Sequence, residues 1–230
     1  MRRPRLTLLQ VAVGGLLLMA PPVWAQTPAD AVFVVTALDV APGQAAGGLA
    51  VLKPYRDAAR KQAGNLGADL LQEGGWANRF MIFETWRDRA SYEANEKAAA
   101  LAALRDKLKP VAPAPIDRRN YQTVSVGAAK TAPGAVFMLA HCDVVPPFLD
   151  KTLAALKEVA EAARKSEGNL RFDVVQTAGE PRSHTTLVGA WQSRKAFDEF
   201  EGTNEARRFR DTLGPFLGSP LDDRLYALID

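Results

Sequence analysis

Seven landmarks of this sequence return in the same order farther along the chain, and no other feature narrows its fold as much. Ala31-Val32-Phe33 returns as Ala135-Val136-Phe137, and Asp39-Val40 returns as Asp143-Val144. Ala58-Ala59-Arg60-Lys61 returns as Ala162-Ala163-Arg164-Lys165. Gly64-Asn65-Leu66 with Asp69 returns as Gly168-Asn169-Leu170 with Asp173, and the spacing is 104 throughout. Trp86 then matches Trp191 after one extra residue, Pro110 matches Pro215, and Asp117-Arg118 is aligned with Asp223-Arg224. Between the copies, Gly127 to Gly134 is small, polar and Pro-containing, the composition of a linker. The chain therefore divides into a first domain at 31–125, a linker at 126–134 and a second domain at 135–229.

Both copies carry the same pattern of elements. A β-branched and aromatic run at 31–39 or 135–143 reads as a first strand. A helix follows; in copy two Leu149, Leu153, Leu156, Ala160 and Ala163 keep the step of a helix with one buried face. It leads to Gly64-Asn65 or Gly168-Asn169, residues suited to a left-handed cap. Two strands (66–73 with 79–86, 170–177 with 184–191) form a hairpin, a helical region spans 88–109 or 193–213, and a last strand closes each copy. The order is β-α-β-β-α-β, a ferredoxin-like α+β domain. Helices cover only one face of such a sheet, so two copies in one chain are expected to pack sheet to sheet as a pseudo-dimer.

Residues 1–25 read as a secretory leader: Arg2, Arg3 and Arg5, an apolar Leu6–Ala20, then Val23-Trp24-Ala25 before Gln26. Cleavage after Ala25 would place the protein in the periplasm or outside the cell. The leader holds three of the 29 basic residues and none of the 26 acidic ones, so the remainder carries equal numbers of each. That balance offers no electrostatic argument for nucleic acid or an anionic membrane as partner. Cys142 is the single cysteine, so no disulfide forms within the chain. His141 and His184 are the only histidines, no cluster has metal-ligand spacing, and no phosphate loop or dinucleotide fingerprint is present. No cofactor is expected.

The Gly64-Asn65-Leu66 and Gly168-Asn169-Leu170 turns, the strands ending Phe83-Glu84-Thr85-Trp86 and Val188-Gly189-Ala190-Trp191, and Tyr92 or Phe197 beyond each Trp give each copy its character. With these, each copy resembles the antibiotic biosynthesis monooxygenase domain of the dimeric α+β barrel superfamily. The resemblance implies a flat aromatic ligand between sheet and helices. Some members oxygenate phenols or hydroquinones without metal or flavin, others degrade haem, and many have no known activity. Of the residues the oxygenases use, Trp86 and Tyr92 match the Trp and Tyr. The expected Asn is Ile82 in copy one and Leu187 in copy two, and the Arg has no clear equivalent. The His of the haem-degrading members meets Glu96 and Glu201, and neither first strand contains Asn, which disfavours haem degradation.

The duplication supplies an internal control. Copy one has Arg56, Ala68, Glu84 and Tyr92 where copy two has Ala160, Phe172, Gly189 and Phe197. Strand alternation puts Glu84 on the face of Trp86. Copy two is therefore expected to be packed shut, and copy one to keep a polar-lined cavity with Arg56 paired to Glu84. The candidate catalytic residues are Arg56, Glu84, Trp86 and Tyr92. Each also has a plain structural role open to it: Trp86 in the core, Arg56 reaching solvent, Glu84 on a backbone amide, Tyr92 half-exposed on its helix. His141 reads as a strand histidine, and Cys142 as a small hydrophobe. Three functions remain: a cofactor-independent monooxygenase for a quinol-like or polyphenolic substrate, a non-catalytic module binding a small aromatic ligand, and an interaction domain. Association of two chains into a homodimer stays open.

Overall fold

The computed structural model describes residues 26–179 and 183–229; the leader read at 1–25 lies outside them. Copy one runs β1 (Val32–Asp39), α1 (Ala45–Arg60), β2 (Asn65–Glu73), β3 (Arg79–Trp86), α2 (Arg89–Glu96), α3 (Ala99–Leu108) and β4 (Asp117–Ser125). Copy two repeats it as β5 (Val136–Asp143), α4 (Leu149–Lys165), β6 (Asn169–Thr177), β7 (His184–Trp191), α5 (Arg194–Glu201), α6 (Asn204–Leu213) and β8 (Asp222–Ile229). The helical region read at 88–109 and 193–213 is thus two helices in each copy. In copy two the break is written locally: Gly202 ends α5, and the Thr203 hydroxyl starts α6 by accepting from the Ala206 amide at 3.2 Å.

The strands close into a barrel in the order β1-β3-β2-β8-β5-β7-β6-β4. Each copy contributes four neighbouring strands. Two seams join them, β2 with β8 through Leu70–Glu73 and Tyr226–Ile229, and β4 with β6 through Tyr121–Ser125 and Val174–Thr177. The expected sheet-to-sheet pseudo-dimer is therefore a dimeric α+β barrel within one chain. Closure pairs the edge strands that two separate sheets would leave bare.

Strand alternation sorts the side chains into three cores. Phe33, Met81, Phe83, Phe137 and Val188 point into the barrel. Outside it, Ile82 and Trp86 meet Leu52, Tyr55 and Leu101 from the helices of copy one, and Leu187 and Trp191 meet Leu156, Phe197 and Phe200 in copy two. Gly64 and Gly168 set the join between helix and hairpin. Their φ values are +81° and +73°, a region costly for a residue with a side chain. A Cβ at Gly64 would also lie 2.0 Å from Ser91 Oγ, and one at Gly168 would lie 2.7 Å from Ala196 Cβ.

One alignment of the repeat is corrected by the strand register. Thr36 faces Arg118 across β1–β4, and its counterpart Ala140 faces Asp223 across β5–β8. Arg118 therefore corresponds to Asp223, and Arg119 to Arg224.

Candidate functional site

Glu84 enters the outer face of copy one between Ile82 and Trp86, and its side chain is completely buried. A carboxylate taken out of water needs partners; β4 and α1 supply them, and β1 and α2 hold the β4 partner in place. From β4, Arg118 Nη1 donates to Glu84 Oε2 and, at 2.7 Å, to Thr36 Oγ1 on β1. Its Nη2 donates to Asn95 Oδ1 at 2.7 Å, and its Nε to Glu96 Oε1 at 2.6 Å. From α1, the Tyr55 hydroxyl donates to Glu84 Oε1 at 2.9 Å. Asn95 Nδ2 extends the network to Gln62 Oε1 at 3.3 Å.

The network sets the charge states. Burial pushes the Glu84 carboxyl above its ordinary range, held back by Arg118 and the Tyr55 hydroxyl. Burial works against the charge of Arg118, but Glu84 and the other acceptors around it outweigh that and raise its pKa. Burial, then Glu84, raises the Tyr55 phenol, so it stays protonated and donates. The result is a carboxylate with enhanced affinity for a proton beside a fixed cation, a combination suited to removing a proton and holding the anion left behind.

The structure brings together only part of the set expected from sequence. Glu84 and Trp86 are neighbours on one strand face. Arg56 is not Glu84's partner: its Nε donates to Asp57 at 2.8 Å and its Nη1 to the Ile229 carbonyl at 2.7 Å, tying α1 to β8. Arg118, unassigned from sequence, takes that place. Tyr92 lies at the edge of the core, and its hydroxyl accepts from Asn120 Nδ2 at 3.2 Å. The open space expected around Glu84 is filled by Tyr55, Asn95 and Arg118. Trp86 is fully buried with no partner for its indole N–H among the described residues, and Trp191 shares both properties.

Copy two shows what the fold requires without these groups. Ala140, Val159, Gly189, Phe200 and Asp223 stand where copy one has Thr36, Tyr55, Glu84, Asn95 and Arg118. Its equivalent space is closed by aromatics. Trp191 stacks on Phe200 with centroids 5.5 Å apart and meets Phe197 and Phe172 edge-on at 5.2 and 5.9 Å. The absence of a side chain at Gly189 is essential, since a Cβ there would lie 2.4 Å from the Trp191 ring. Copy two is packed shut, as its composition implied.

Arg118 also lines a groove of about 520 Å3 between α3 and β4, walled by Leu108, Ala112, Pro113 and Ile116. The ionisable groups lining it are Arg105, Lys109 and Arg118, and each is paired with a carboxylate: Arg105 with Glu96 at 3.3 Å, Lys109 with Asp106 at 2.7 Å, and Arg118 with Glu84 and Glu96. The matching groove of copy two has about 330 Å3 and one charged residue, Arg210, which Glu201 and Asp223 neutralise at 2.6 and 2.9 Å. No group of three or more His, Cys, Asp or Glu among the described residues is placed to hold a metal. No described helix is long and apolar enough to cross a membrane.

The family described as antibiotic biosynthesis monooxygenase matches residues 31–107 and again 135–212. The chain belongs to this family. Solved structures with the same fold include a candidate monooxygenase from Fusobacterium nucleatum, with a TM-score of 0.77 at 10% identity over 88% of this chain and 94% of that one. A candidate monooxygenase from Lactobacillus acidophilus follows at 0.72 and 11%, over 87% of this chain and 100% of that one. An anthrone oxidase-like protein reaches 0.67 at 10%, covering 90% and 94%. A comparison with curated proteins finds no match. In this antibiotic biosynthesis monooxygenase pair, the buried polar network belongs to the first domain alone.

Proposed function

We propose that the first domain is the working half of a cofactor-independent monooxygenase for a quinol-like or polyphenolic aromatic substrate. The observation that carries this reading is the Glu84–Arg118–Tyr55 network, which the second domain shows to be dispensable for the fold. A hydroquinone deprotonated in a protein site is itself able to reduce dioxygen, so the protein's task is to orient the ring and stabilise the anion. In this reading Glu84 takes the phenolic proton and Arg118 holds the phenolate. Trp86 forms the wall behind Glu84, and Tyr92 hydrogen-bonds at the edge. Arg56 acts at a distance by anchoring α1. The groove beside Arg118 is the route by which the aromatic substrate reaches the network. The leader at 1–25 supports action in the periplasm or outside the cell, which a mature amino terminus at Gln26 would establish.

The test is dioxygen uptake with a panel of hydroquinones. Native protein is expected to consume oxygen faster than the Glu84→Gln variant. Equal rates across the panel would end the catalytic reading. The complete burial of Glu84 and Trp86 favours a second reading, a binding module that has kept the network without turnover. It predicts saturable quenching of Trp fluorescence by aromatic ligands, lost in Trp86→Phe, with no oxygen uptake.

A further inference from the structure

One mouth of the barrel holds a cavity of about 550 Å3 on the inner face of the sheet, away from the copy-one network. Four pairs of its wall residues repeat between the copies. Val35 and Leu139, Asp117 and Asp222, Arg119 and Arg224, and Tyr121 and Tyr226 occupy matching register positions. One rung breaks the symmetry: copy one pairs Ala37 with Met81, whereas copy two pairs His141 with Thr186. Copy one shows that an apolar Ala–Met rung suffices to build the barrel here. The His–Thr rung therefore adds polar chemistry that closure does not require.

The two groups are ordered. His141 Nδ1 lies 3.0 Å from Thr186 Oγ1. In the tautomer whose Nδ1–H donates to Thr186, His141 Nε2 is left as an acceptor. Burial lowers the pKa of this imidazole; Asp222 and Asp143 oppose the shift, while Arg119 and Arg224 add to it. The ring is neutral at neutral pH.

The surrounding charges are already spent on one another. Arg119 holds Asp117 at 2.7 and 3.0 Å, Arg224 holds Asp222 at 2.9 and 3.1 Å, and His184 pairs with Asp143. Among the described residues lining the cavity, no cation is left over for an anionic ligand, and an anion entering here meets three carboxylates. The deeper wall is apolar, made by Val35, Met81 and Leu139. We propose that this mouth is a second small-molecule site, for neutral molecules of the phenol class, whose hydroxyl donates to His141 Nε2 while the ring rests on the apolar wall. The inference does not rest on the reading of copy one.

The experiment is a titration of the full chain with phenol, followed by imidazole NMR. With two histidines in the sequence, His184→Gln assigns the His141 signals. Phenol is expected to shift the His141 resonances saturably, and benzoate to bind at least about tenfold more weakly. The variant His141→Ala/Thr186→Met rebuilds the Ala–Met rung of copy one and is expected to weaken phenol binding at this site at least about tenfold, read by calorimetry. Absence of a saturable shift at His141 in the native chain would overturn the proposal. So would benzoate binding as tightly as phenol, or undiminished phenol binding by the double variant. If that variant does not fold, the native phenol and benzoate titrations decide by themselves.

Discussion

Arg118 reaches Glu84 from a strand that does not touch it. The residues sit on β4 and β3 with β1 between them, and the guanidinium crosses Thr36, donating to its hydroxyl on the way. Three strands and two helices therefore meet at one buried ion pair.

Removing one member of such a pair leaves the other charged and dry, which costs about 3–5 kcal/mol in comparable buried pairs. Arg118→Met should lower the unfolding free energy by about 3 kcal/mol or more. Adding Glu84→Gln to it should recover part of that loss. Urea unfolding of the native chain, both single variants and the double variant measures the coupling directly.

Copy two offers the opposite failure. Because a Cβ on Gly189 meets Trp191 at 2.4 Å and Phe172 at 3.3 Å, Gly189→Ala should destabilise the protein by about 1–3 kcal/mol through overpacking. The same urea experiment, with near-ultraviolet circular dichroism reporting the Trp191 environment, checks it.

His141 gives stability a pH dependence of known sign. Its folded-state pKa lies below the ordinary 6.5, so under acid the unfolded chain binds the proton first. The contribution is complete above about pH 6.5 and falls away as pH drops below that value. Stability measured from pH 7 down to pH 5 should therefore decline more steeply in the native chain than in His141→Ala.

Cys142 is 1% exposed, and burial pushes its thiol up to about 12. Thiolate is the reactive form, so the folded protein should resist a thiol reagent at pH 8 and react fully in denaturant. Rapid labelling of the folded chain would contradict its placement in the core.

Much of this was legible in the sequence because the chain contains its own comparison. Glu84 stood out against Gly189, and Phe172 against Ala68, so the polar and the closed copy were distinguishable before any coordinates. Arg118 was hidden by an error of one residue. Aligning Asp117-Arg118 with Asp223-Arg224 paired it with an arginine of the opposite sheet face, since a single-residue slip exchanges the faces of a strand. Aligning Tyr121 with Tyr226 instead would have set it against Asp223 and exposed the charge reversal. Tyr55 was missed for a different reason. On the buried stripe of α1 an aromatic reads as core, and only the position of Glu84 across the helix–sheet gap reveals that its hydroxyl is in use. The filling of the space by Asn95 and Arg118 depends on rotamers and on the break between α2 and α3, which residue types alone do not determine.

The two seams, β2 with β8 and β4 with β6, have a genetic consequence. Where two identical chains close such a barrel, every codon change is felt twice, once in each half, and a buried Glu or a space-filling Phe must be tolerated in both. Here the halves are inherited as one chain but spelled separately. Arginine at one site and aspartate at its mirror position are then independent events, and either half is free to lose a polar network that the other retains.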